Sequence, residues 1–169
     1  MVAWAGDLQE SVEVGEVLKI NSKAPDFEGR LDDGSLFRSA ELRGQRNIVL
    51  YFYPRDFTPG CTQEALSFQE NYAEIEQYEA ELVGVSADSV ESHAKFRQQY
   101  CLAFPIIADP EKKIIKAFGA EWLFGLTIAR VTYVIDKTGT IRAIIRHDLA
   151  IARHLSEVLE SLRKIQLKN

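Results

Sequence analysis

An α/β domain, with a central mixed β-sheet flanked by helices, is the fold class the sequence predicts, and three observations carry it. The runs Asn47 to Tyr53 and Leu82 to Ser86 are nearly continuous in apolar and β-branched residues, which suits strands buried on both faces. Between them Ala65, Phe68, Tyr72, Ile75 and Leu82 recur at helical spacing, with Glu70, Glu74 and Glu76 on other faces. Near the end, Asp136-Lys137-Thr138-Gly139 separates the strand-like runs Arg130 to Ile135 and Thr140 to Ile145. An amphipathic stripe of Ile151, Leu155, Val158, Leu159, Leu162 and Ile165 follows.

The remaining elements fall between these. Asp32-Asp33-Gly34 is a hairpin-type turn within Leu31 to Phe37. Ser89 caps a helix running to Tyr100, Phe104 to Ala108 reads as a short strand, and Pro110 to Phe118 as a short helix with proline near its first turn. The order is β-α-β-α-β-α-β-β-α after a hairpin. That order resembles a thioredoxin-like sheet with an N-terminal β-hairpin extension. Residues 1–16 are expected to form an extension, and 17–169 the domain itself.

Composition narrows the functions. Hydrophobic residues make up 46% and charged residues 27% of the 169, the balance of a globular chain rather than a disordered one. A net charge of −5 argues against nucleic acid as a partner, because phosphate binding needs a basic surface. No stretch approaches the roughly 20 apolar residues of a membrane helix. Met1 to Glu16 carries four acidic residues and no Lys or Arg, unlike a secretory or transit signal, so a cytoplasmic location is expected. Two cysteines in 169 residues make no disulfide framework, and no clustered ligand set suggests a metal, so no cofactor is expected. The cysteines read as free or redox-active thiols.

Cys61 is the chemically suggestive one. Thr58 suits an N-cap and Pro59 the first helical position, which puts Cys61 in the first turn of a helix leaving a central strand. Unpaired backbone N–H groups and the positive end of the helix dipole favour thiolate there, and the thiolate is the nucleophile. The competing reading is a small apolar residue filling space. From the residues alone Cys61 is a reactive-thiol candidate.

Pro54-x-x-x-Thr58-x-x-Cys61 resembles the active-site motif of peroxiredoxins. The string Phe52-Tyr53-Pro54 through Thr58-Pro59-Gly60-Cys61-Thr62-Gln63-Glu64-Ala65 is similar to the bacterioferritin-comigratory, or Q-type, subgroup. The likeness continues in Ala24-Pro25-Asp26-Phe27, Val83 to Ser89, Phe104 to Asp109 and Arg130 to Asp136, covering about residues 17 to 166. The resemblance implies a thiol-dependent peroxidase acting on hydrogen peroxide and organic hydroperoxides. Cys61 would attack the peroxide and become a sulfenic acid. Thr58 would align the peroxide, Pro54 would shield the thiolate, Arg130 would stabilise thiolate and leaving oxygen, and Glu64 would hold Arg130. Thioredoxin, glutaredoxin or glutathione would be the reductant, and the chain a monomer or weak homodimer.

One departure bears on mechanism. Q-type relatives carry a resolving cysteine five residues after the first or in the next helix, where this chain has Leu66, and Phe96 or Arg97. Cys101 is the remaining candidate for a resolving thiol, against a structural reading of it. A one-cysteine mechanism with an external thiol is therefore expected. The alternative function is a peroxide sensor or chaperone-like binding protein using the same oxidisable Cys61. Thioredoxin-type exchange lacks its second cysteine in Cys61-Thr62-Gln63-Glu64. The apolar segment Glu121 to Ala129 is expected to wall the site, with Trp122 and Phe124 as a collar.

Overall fold

The structure, a computed structural model, describes residues 17–146 and 150–168; the expected extension 1–16 lies outside them, as does His147. The first hairpin is β1 (Glu28–Leu31) and β2 (Leu36–Arg38). Its turn closes with Gly34 at φ 83°, a conformation that favours glycine, and Leu31 N donating to Ser35 O at 2.8 Å. This hairpin is part of the main sheet: β1 pairs antiparallel with β5 (Ile106–Ala108).

Parallel pairs join β3 (Asn47–Phe52), β4 (Ala80–Ser86) and β5, while β8 (Val131–Ile135) and β9 (Ile141–Arg146) continue the sheet antiparallel beyond β3. The sheet order is β2-β1-β5-β4-β3-β8-β9, the mixed thioredoxin-like arrangement expected. Every residue of β3 is buried because both faces are covered. Val49, Tyr51 and Tyr53 point into one core with Phe68, Leu82 and Val158; Ile48, Leu50 and Phe52 point into the other with Ile107, Ile115 and Phe118. Helices α1 (Pro59–Glu70), α3 (Val90–Tyr100) and α5 (Ile151–Leu167) cover the first face. The short α4 (Lys113–Ala117) covers the second. At roughly 1.5–3 kcal/mol for each large apolar side chain buried, the two cores fix the end of β3, where the Cys61 loop begins.

Three expectations are corrected. The single helical stripe from Ala65 to Leu82 is two helices and a strand. Asn71 breaks it at φ −110°, ψ 11°, its side chain donating to Ser67 O; α2 (Tyr72–Gln77) follows, and Leu82 lies in β4, as the strand reading of Leu82 to Ser86 expected. The helix read from Pro110 starts at Lys113, because Lys112 takes the left-handed φ of 58° and Asp109 accepts the N–H groups of Lys113 and Ile115. A small hairpin also intervenes, β6 (Glu121–Trp122) with β7 (Thr127–Ile128), its tip turning through positive φ at Leu123, Phe124 and Gly125.

Candidate active site

Cys61 occupies the third position of α1, in the first turn as the sequence implied, and is only 2% exposed. Thr58 is the N-cap residue by position, but its hydroxyl does not cap the helix. It donates instead to Arg55 O at 2.9 Å, while its carbonyl accepts Thr62 N–H at 2.9 Å. The loop thus tightens on itself and leaves the first-turn N–H groups of α1 without a side-chain partner from Thr58. Pro54 sits half-buried at the bend just after β3.

Arg130, the residue before β8, meets Cys61 across 69 positions of sequence. Its Nη2 lies 3.5 Å from Cys61 Sγ, and its Nη1 bonds Glu64 Oε2 at 2.5 Å. Glycine at position 60 makes room for this, since a Cβ there would stand 3.2 Å from Nη2. Glu64 is 2% exposed, and burial pushes its pKa up to about 7 even though Arg130 pulls it down. Burial works against the guanidinium's charge, yet Glu64 and Cys61 together hold the Arg130 pKa above its ordinary value. Tyr51 underlies the site; burial first, then the Glu64 charge, raises its phenol well above the usual range, so it brings no negative charge.

The structure also brings together residues the sequence did not mark. His154 in α5 points Nε2 at Thr132 Oγ1, 2.5 Å away, and lies 4.0 Å from Glu64 Oε1. Beneath the loop, Asp56 Oδ1 accepts Tyr53 Oη–H at 2.6 Å, and Oδ2 accepts Ser92 Oγ–H at 2.8 Å and faces His93 Nδ1 at 2.7 Å. The Asp56 backbone N–H reaches Asp88 Oδ2 at 2.9 Å. A signal existed: His93 and Phe96, like His154 and Val158, share the inward face of their helices. Asp56, Asp88 and His93 bring potential metal-ligand atoms within 4.8 Å of one another, a grouping that is not apparent in the sequence. Their own hydrogen bonds already occupy those atoms.

Cys101 is exposed at the C-cap of α3, in the left-handed region at φ 52°, and neither cysteine is disulfide-bonded. The segment expected to form the collar is a hairpin with exposed aromatics, Trp122 and Phe124. Lys112 Nζ donates to Gly125 O and draws the β6–β7 hairpin to the start of α4, while Ile128 and Ala129 pack in the core opposite Cys61. Phe124 stands fully in solvent, and a groove beside α1 is lined by Phe57, Thr62, Leu66, Tyr100 and Ile151.

A buried thiol at a helix start, held against an arginine that a carboxylate orients, on a thioredoxin-like sheet, is the arrangement of a thiol peroxidase. The AhpC/TSA family model matches residues 20–144, and the chain belongs to that family. It is 37% identical over 152 residues to "Peroxiredoxin Q, chloroplastic" of Oryza sativa subsp. japonica, covering 89% of this chain and 69% of that one. It is 37% identical over 157 residues to peroxiredoxin Bcp of Bacillus subtilis, covering 89% and 99%. The crystal structure of peroxidoxin BcpB from Mycobacterium tuberculosis superposes with a TM-score of 0.81 at 31% identity, covering 88% and 98%. A Xylella fastidiosa PrxQ mutant gives 0.82 at 29% identity, covering 90% and 99%. The activity of this chain is thiol-dependent peroxide reduction.

Proposed function

We propose that Cys61 is the peroxidatic residue of a one-cysteine cycle, and the observation that carries this is Arg130 Nη2 at 3.5 Å from its buried sulfur. The Cys61 thiolate attacks one peroxide oxygen; the S–O bond forms as the O–O bond breaks, sulfur supplying the electron pair. The departing oxygen takes a proton to become water or an alcohol, and Cys61 is left as the sulfenic acid. Arg130, held by Glu64, stabilises both the thiolate and the charge on the leaving oxygen. Thr58 and Pro54 frame the peroxide, with Thr58 held through its bond to Arg55 O.

An external thiol then attacks the sulfenic sulfur, releasing water and forming a mixed disulfide that a second thiol reduces. In this cycle Cys101 takes no part. An intramolecular disulfide needs Cα atoms within about 7 Å. Cys61 is buried in the first turn of α1, whereas Cys101 is exposed at the C-cap of α3, and the two thiols are free. Thioredoxin, glutaredoxin and glutathione are the reductant classes that fit. The test is steady-state consumption of hydrogen peroxide and an alkyl hydroperoxide with each thiol donor in turn. Sustained turnover without any Cys61–Cys101 bond supports the cycle. A single oxidation event with no recycling by any donor contradicts it and favours a sensor.

A further inference from the structure

His93 is completely buried and offers both ring nitrogens to acceptors. Nδ1 faces Asp56 Oδ2 at 2.7 Å, and Nε2 faces the backbone carbonyl of Ile107 at 3.2 Å. A carbonyl oxygen only accepts, so Nε2 carries hydrogen, and Nδ1 meets an oxygen that already accepts Ser92 Oγ–H. The ring therefore ties three elements together: the Cys61 loop through Asp56, its own helix α3, and strand β5 through Ile107. Tyr53 Oη–H adds a third side-chain bond to the same carboxylate, from the residue after β3. The charged and titratable groups facing this cluster are Asp56, Asp88, His93 and Tyr53. Ser86 and Ser92 supply the neutral bonds, Ser86 Oγ–H to Asp88 Oδ2 at 2.6 Å.

Asp56 lies midway between Pro54 and Thr58, in a loop that also contains Phe57 in the left-handed region at φ 62°. A non-glycine residue held there costs about 1 kcal/mol or more and persists only when its surroundings impose it. The bonds to Asp56 are that imposition. Thr58 and Pro54 have no comparable side-chain anchor of their own; the Thr58 hydroxyl bonds only within the loop.

We infer that His93 is a positioning residue of the peroxide site, acting through Asp56 to hold the Pro54–Thr58 loop over Cys61. The inference rests on the peroxidase reading of Cys61. Removing the Nδ1 contact releases Asp56 and lets Thr58 drift, and misplacement of an aligning group by about 1 Å costs up to 10²-fold in rate.

Two isosteric variants separate positioning from packing. In His93→Asn the amide nitrogen falls where Nδ1 was and keeps the bond to Asp56. In His93→Gln it falls where Nε2 was and keeps only the bond to Ile107. Each is measured for the single-turnover rate of Cys61 oxidation by hydrogen peroxide, for melting temperature, and for hydrogen exchange over residues 54–60. The Gln variant is expected to lose about tenfold or more in rate and to exchange faster in the loop. The Asn variant should stay within about threefold of wild type on both readouts, whatever the ordering of melting temperatures. Equal losses in the two variants, or rates that track melting temperature alone, overturn the inference. Should His93→Gln not fold, Tyr53→Phe decides, since it keeps the ring and removes one bond to Asp56. A slower rate with faster loop exchange supports positioning, and wild-type values on both contradict it. Loss of peroxide reactivity in the wild type would refute the peroxidase reading alone, and the exchange comparison would still judge the role of His93.

Discussion

The Arg130 guanidinium bridges Cys61 and Glu64, one nitrogen 3.5 Å from the sulfur and another 2.5 Å from the carboxylate. The positive charge is therefore oriented before any peroxide arrives, and no reorganisation is needed as charge develops on the leaving oxygen.

Arg130→Ala should slow Cys61 oxidation by about 10²-fold or more, the usual cost of removing a preorganised charge from a transition state. Stopped-flow peroxide reaction measures the rate, and ultraviolet thiolate absorbance at neutral pH should fall in the same variant. Unchanged absorbance would mean that Arg130 does not favour the thiolate.

Glu64 predicts a pH dependence of stability with a definite sign. Its pKa rises from an ordinary 4.5 to about 7 on folding, so the native state binds the extra proton. The stabilisation is fully present below pH 4.5 and is lost as pH rises towards 7, amounting to on the order of 3 kcal/mol. The difference in unfolding free energy between wild type and Glu64→Gln should shrink or reverse by that order across the interval. Parallel stability curves for the two proteins would contradict it.

Cys101→Ser should leave turnover with an external small thiol within about twofold, because access rather than this thiol governs resolution. Mass spectrometry after one equivalent of peroxide should find no Cys61–Cys101 peptide pair. A linked pair would make Cys101 the resolving residue.

The strands and the helix carrying Cys61 could be read from local pattern, because period-two burial and the Thr58-Pro59 helix start are short-range signals. Arg130 and Glu64 were reachable only through resemblance, since nothing local says that residues 66 positions apart share a proton and a charge. Thr58 takes the expected N-cap position, but that its hydroxyl bonds Arg55 O and not a first-turn N–H was not legible, because this acceptor is in place only once the loop has closed. The break at Asn71 was not legible, because Phe68, Tyr72 and Ile75 keep one period across it. The apolar segment Glu121 to Ala129 gave no pattern from which its hairpin could be read, because the Lys112 bond to Gly125 O that ties it to the start of α4 spans separate elements. The Asp56–His93 cluster stayed hidden for the same reason as Arg130: its members come from three separate elements.

Peroxide consumption by wild type and Cys61→Ser, side by side with an excess of small thiol, bears most directly on the function assigned to this chain. Serine has no thiolate equivalent at neutral pH, so turnover should fall to the uncatalysed background while the melting temperature stays close to that of wild type. Substantial residual turnover in the folded Cys61→Ser protein would contradict the assignment of Cys61 as the attacking residue.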